Sequence, residues 1–99
     1  MSETRIELKG DGLYLLLGEL SFNTVPTIAA SFTKIVNNAE KVVLDLQGVT
    51  RTDSAGLALL IDWMRVVRHK DKQIIFKNIP EQMLAVAKVS DLDDILPVE

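Results

Sequence analysis

At 99 residues the chain has room for one compact domain with a modest core, expected over residues 1–99, and none for a second. Hydrophobic residues make up 47% and charged residues 25%, the balance of a globular protein, and a net charge of −3 gives no general attraction to nucleic acid or anionic lipid. With no cysteine, disulfides and thiolate metal sites are excluded.

Residues 1–5 lack the apolar stretch of a secretory signal. Apolar runs such as Leu57 to Ile61 are far too short to span a bilayer, so direct membrane insertion is not expected. A cytoplasmic place fits the absence of cysteine.

Arg5 to Leu8 reads as a short strand, Lys9 to Gly12 as turn chemistry and Leu13 to Leu17 as a second strand. An Asp-Gly pair between apolar runs is a good hairpin signal. Asn23 or Thr24 then caps a first helix that tolerates Pro26 in its opening turn, with Ile28, Phe32, Ile35, Val36 and Ala39 on one face. Val42 to Leu46 is a continuous β-rich run, expected as a central strand covered on both sides. A loop from Gln47 to Asp53 leads to a second helix from about Ser54 to His69. Gln73 to Lys77 is a further strand, Asn78 and Pro80 open a third helix through Val89, and Asp91 to Leu96 form a short final turn. Strands alternate with helices after an opening hairpin, which predicts an α/β fold with a small mixed sheet flanked by helices. Val43, Leu44, Leu46, Leu57, Leu60, Ile61 and Ile75 are its expected core.

The most informative stretch runs from Asp45 to Leu60. A strand ends, a polar loop follows, and Asp53 or Ser54 caps a helix whose free amides favour a neighbouring anion, including a phosphate on a side chain. Gly56 costs about 1 kcal/mol of helix propensity relative to alanine, which makes sense where another backbone or a partner comes close.

The Ser54–His69 helix shows two apolar stripes. Leu57, Leu60, Ile61, Met64 and Val67 share the face expected on the sheet; Ala55, Leu59, Trp63 and Val66 lie roughly opposite, with Asp62, Arg65 and His69 between. A surface helix normally carries one stripe, so the second, with the only tryptophan, is expected to meet a partner protein. The alternative is that Leu92, Ile95 and Leu96 fold back and cover it.

Asp53-Ser54-Ala55-Gly56-Leu57, after Asp45-Leu46 and with Gly18-Glu19-Leu20 at the end of the second strand, resembles the signature of the STAS family, the fold of anti-sigma-factor antagonists and sulfate-transporter tails. Within it, Gly56 to Leu60, Ala87-Lys88-Val89 and Asp94 to Pro97 are similar to the small MlaB-type STAS subunit of the bacterial phospholipid-trafficking ABC transporter. Those subunits can carry threonine and a Gly-Gly pair where this chain has Ser54, Ala55 and Gly56. The resemblance implies a non-enzymatic accessory subunit, peripheral to the inner membrane, that binds the transporter's cytoplasmic ATPase and supports its assembly or activity. It leaves a second possibility: an antagonist bound by an anti-sigma factor or serine kinase and phosphorylated at Ser54, the serine its sigma-regulatory relatives modify.

The expected partner surface is therefore Thr50, Arg51, Thr52, Ser54, Ala55, Leu59, Trp63 and Val66. Plainer readings are Ser54 as a helix cap and residues 50–52 as a solvated loop, while Glu19 is expected to cap backbone amides at the strand end or, as the resemblance implies, to lie near the Ser54 loop. His69, beside Arg68 and Lys70 at a helix C-terminus, reads as dipole compensation. Asp45 and Asp62 make no convincing metal pair, no Gly-rich phosphate loop occurs, and Ser54 lacks the preceding glycine of a nucleophile elbow. No catalytic residue, metal or cofactor is expected.

Overall fold

Asp11 and Gly12 close a tight hairpin between β1 (Arg5–Gly10) and β2 (Leu13–Leu20), because Gly12 adopts a φ of +71° and a Cβ there would lie 2.5 Å from the Lys41 carbonyl oxygen. The computed structural model describes residues 4–98. After the hairpin come α1 (Val25–Ala29), α2 (Ser31–Asn37), β3 (Lys41–Thr52), α3 (Ser54–His69), β4 (Gln73–Lys77), α4 (Glu81–Val89) and a 3-10 turn at Asp93–Ile95. The four strands lie in the order β1-β2-β3-β4, the first pair antiparallel and the other two parallel. The mixed α/β fold with an opening hairpin is as expected.

Period-two alternation places the core. Leu16 and Leu20 of β2, Val42, Leu44 and Leu46 of β3, and Ile74 and Phe76 of β4 are buried on one face. Leu13, Leu15, Val43, Asp45 and Ile75 occupy the other face and are only half-buried. This corrects the expectation of a central strand covered on both sides and moves Val43 and Ile75 out of the core. Ile61 is likewise half-buried, packed against the core from its edge. Leu44, Leu46, Leu57 and Leu60 are core residues as expected.

Two elements differ in extent from the sequence pattern. The first helix divides at Ala30 into two short pieces, and Thr24 is its N-cap residue. The presumed loop after Leu46 continues as strand to Thr52, held by a parallel ladder to β2 from Leu17–Gly48 to Leu20–Thr52. Residues 47–52 are polar and bulged, with Val49 and Arg51 pairing Gly18 and Glu19, so Thr50 is extra. Such a segment reads as a loop until its long-range partner is known.

α3 packs on β3 and β4 and touches both α1 and α4. Leu57, Leu60, Met64 and Val67 are buried on one side of it, and Leu59 and Trp63 are buried as well. Trp63 is 2% exposed and stacks on Phe32 of α2, ring centroids 4.5 Å apart and planes 9° from parallel. Trp63 is covered by Phe32 of this chain's own preceding helix and Leu59 is buried, while Ala55 and Val66 of the same stripe stay half-buried. The burial of Leu59 and Trp63 requires neither a partner nor the C-terminal segment. That segment instead runs beside β4, where Phe76 donates its amide to the Pro97 carbonyl at 2.8 Å and pairs with Val98.

Candidate functional site

The carboxyl ends of β2 and β3 meet the start of α3, and one side chain organises the junction. Asp53, not Ser54, is the N-cap of α3: its Oδ1 accepts from the Ala55 amide at 2.9 Å. Its Oδ2 accepts from the Phe22 amide at 3.1 Å. A single carboxylate therefore ties the β2–α1 loop to the helix start. The Asp53 amide in turn donates to the Leu20 carbonyl at 3.2 Å, closing the link from the backbone side.

The β2–α1 loop is held from within by hydroxyls. Thr24 Oγ1 donates to the Glu19 carbonyl at 2.6 Å and accepts from the Ser21 amide at 3.0 Å, while Thr4 Oγ1 donates to the same carbonyl at 2.7 Å. Ser21 Oγ donates to the Glu19 carboxylate. Glu19 therefore receives a side-chain hydroxyl, not the backbone amides that the capping reading foresaw. The loop is ordered, and it presents Phe22 to solvent with 80% of its surface exposed.

A polar cleft of about 310 Å³ lies beside this junction, lined by Glu19, Ser21, Asn23, Arg51, Asp53 and Gln82 of α4, with Thr52 at its floor. Thr52 is buried, its Oγ1 donating to the Asp53 carbonyl at 3.3 Å. Gly56 is also explained from within: a Cβ there would lie 2.5 Å from Thr52 Oγ1 and 2.9 Å from the Leu20 carbonyl oxygen. The close approach is to the end of β2, not to another molecule.

Of the expected partner residues, Thr50, Arg51 and Ser54 are exposed, Arg51 and the buried Thr52 line the cleft, and Ala55 is half-buried. Ser54 occupies the first helical position, with its side chain free among the described residues. Thr52, Leu59 and Trp63 are buried and cannot be touched without unfolding, and Val66 is half-buried farther along α3. Phe22 was absent from the expected surface. Its only sequence signal is an aromatic residue set among Ser21, Asn23 and Thr24 in a turn. Among the described residues, no group of three or more His, Cys, Asp or Glu could hold a metal ion, and no helix is long and apolar enough to cross a membrane.

The family model described as "Mlab, STAS domain" matches residues 4–97. The chain belongs to the STAS domain family. The anti-sigma-B factor antagonist of Staphylococcus aureus is 23% identical over 82 residues, covering 82% of this chain and 76% of that protein. Among solved structures, an anti-sigma factor antagonist from Mycobacterium paratuberculosis superposes with a TM-score of 0.76 at 21% identity, covering 99% of this STAS domain and 85% of that chain. The Bacillus cell fate determinant SpoIIAA in its phosphorylated form gives a TM-score of 0.69 at 19% identity, with 97% and 90% covered. At these identities the structural likeness establishes a shared fold.

Proposed function

We propose that this STAS domain docks a partner protein at the rim formed by Phe22, Asn23, Thr50, Arg51 and the start of α3, and that it carries out no chemistry itself. The observation that carries the reading is the double use of Asp53, which locks the Phe22 loop and the Ser54 helix start into one preformed surface. A surface ordered before association loses little conformational entropy on binding.

The names of its relatives favour an anti-sigma-factor antagonist, and one of them, SpoIIAA, is described in a phosphorylated form; in this reading the phosphate of the present chain is carried on Ser54. The local physics agrees. Ser54 is exposed at the first helical position, where the amides of α3 favour a phosphate, yet the added charge would stand beside Asp53 at the contact surface. A phosphate there leaves the fold intact and alters the docking surface. The partner in this reading is an anti-sigma factor with serine kinase activity.

A second reading has its own support in the description of the matched family and in the MlaB-like runs Gly56 to Leu60 and Asp94 to Pro97. Here the same rim binds the cytoplasmic ATPase of a phospholipid-trafficking ABC transporter, which holds the domain at the inner membrane and whose assembly or activity it supports. Binding of the purified domain to each partner class, with intact-mass measurement after incubation with the kinase and ATP, separates the readings. A stable kinase complex with phosphate on Ser54, lost in Ser54→Ala, supports the first; a stable ATPase complex with no phosphate supports the second. Ser54→Asp is expected to fold like the parent, because Asp53 still caps the helix and an acid in the first turn suits its dipole, but to bind more weakly. No complex with either class overturns the docking reading.

A further inference from the structure

At one margin of the sheet, no strand among the described residues pairs with the outer side of β1. Such an edge offers a row of free backbone donors and acceptors to another strand. Ile6 and Leu8 pair with Leu16 and Tyr14 and so lie on the helix-bearing face, where Leu8 is 64% exposed. Next to them a groove of about 480 Å³ opens between β1 and the α1–α2 segment, lined by Ile6, Leu8, Tyr14, Ile28 and Ile35. On the opposite face Arg5, Glu7 and Lys9 alternate in sign; the Glu7 carboxylate meets Arg5 Nε at 2.7 Å and Lys9 Nζ at 3.2 Å.

We propose that β1 is the contact of a symmetric homodimer, in which the β1 strands of two copies pair antiparallel with Ile6 opposite Ile6. The charge pattern selects this occupant and this register. With Ile6 on the two-fold axis, Arg5 of each copy stands opposite Glu7 of the other, and opposite charges facing across strands are favourable. Centring the pair on Glu7 instead sets acid against acid and Arg5 against Lys9. Centring it on Leu8 runs into the irregularity between Leu8 and Gly10. Any register offset by one residue turns Ile6 towards a charged side chain, since one step flips every side chain to the other face. In the favoured register Leu8 lies opposite Thr4 of the second copy and diagonal to its Ile6, which covers the exposed leucine and joins two four-stranded sheets. The rim around Ser54 is not used, so a dimer would present two docking surfaces.

The test uses the full chain in sedimentation and light scattering across a concentration series. The parent is expected to dimerise reversibly, and more weakly at high salt. Arg5→Glu and Glu7→Arg each place like charges across the axis and should raise the dissociation constant about tenfold or more. Mixing the two variants should restore dimers, because one chain then carries only acids at positions 5 and 7 and the other only bases. Loss of the ion pairs within each chain cannot be repaired by mixing, so this rescue isolates the contact between copies. Since the chain has no cysteine, Ile6→Cys should cross-link to itself on oxidation while Leu8→Cys should not. A monomer at every concentration, a dimer indifferent to both charge variants, or preferential cross-linking through position 8 overturns the proposal.

Discussion

Truncating Trp63 to alanine tests the central feature of the packing, the burial of its ring against Phe32 of α2. The ring is 2% exposed and lies flat on Phe32, which is itself 1% exposed. Removing a buried tryptophan costs about 3–5 kcal/mol through lost transfer energy and the cavity left behind, with roughly 0.5–1.5 kcal/mol attributable to the aromatic pair. The upper part of that range is expected here, because α2 has only seven residues and is attached to the core mainly by Phe32 and Val36. Against a total stability of roughly 5–15 kcal/mol for a domain, such a loss is large. Urea unfolding followed by far-UV circular dichroism measures it without relying on the tryptophan removed. Trp63→Phe keeps a ring against Phe32 and should cost about 2 kcal/mol or less. The parent should also show blue, poorly quenched fluorescence. A loss below about 1 kcal/mol for Trp63→Ala, with red and readily quenched emission in the parent, would refute the packing described here.

Phe22→Ala should leave stability within about 0.5 kcal/mol, since the side chain touches little and its amide still reaches Asp53, while partner affinity falls by about 2 kcal/mol or more in a titration. Gly56→Ala gains about 1 kcal/mol of helix propensity, yet it should destabilise the fold by roughly 1–3 kcal/mol net, because the new methyl meets Thr52 Oγ1 and the Leu20 backbone; a more stable variant in denaturant unfolding contradicts this. Arg5, and then Lys9, hold the Glu7 carboxyl below the usual carboxylate range, so the pair's small contribution is present above that range and is lost as pH falls through the lowered value. Arg5→Ala should move the Glu7 midpoint upward in an NMR titration, and an unchanged midpoint excludes the pairing.

Most of the fold was legible because its signals are local. Gly12 with Asp11 marks the hairpin, β-branched runs mark β3 and β4, and Asp53 marks the start of α3. What escaped was set by contacts between segments distant in sequence. The ladder from Leu17 to Leu20 makes strand of residues 47–52, whose own composition favours a loop. A surface helix needs only one apolar stripe, but α3 packs on the sheet with α1 and α4 as neighbours and with Trp63 stacked on Phe32 of α2, so its flank as well as its sheet-facing side is apolar. Phe32 shares a helical face with Ile28 and Val36, and that apolar face is the sequence signal of a neighbouring helix able to cover Trp63. At the site, the region was legible and the anchor was not. Periodicity cannot flag a lone Phe22 in a turn, and its importance rests on a hydrogen bond across 31 positions.

The burial of Leu59 and Trp63 also redefines what α3 can offer a partner. Its exposed residues Ser54, Ala58, Asp62, Arg65, Arg68 and His69 share one side of the helix and so form a single strip, polar except at Ala58. That strip begins at Ser54, beside the loop that Asp53 ties in place, and there it joins the exposed ring of Phe22. A docking contact on this face has a polar body and an apolar anchor at one end. Added charge at Ser54 falls at the junction of the two, where it can disturb both the anchor's seating and the polar contacts while the core beneath keeps its packing. The arrangement separates the residues that hold the fold from those that would meet a partner, with Asp53 as their point of connection.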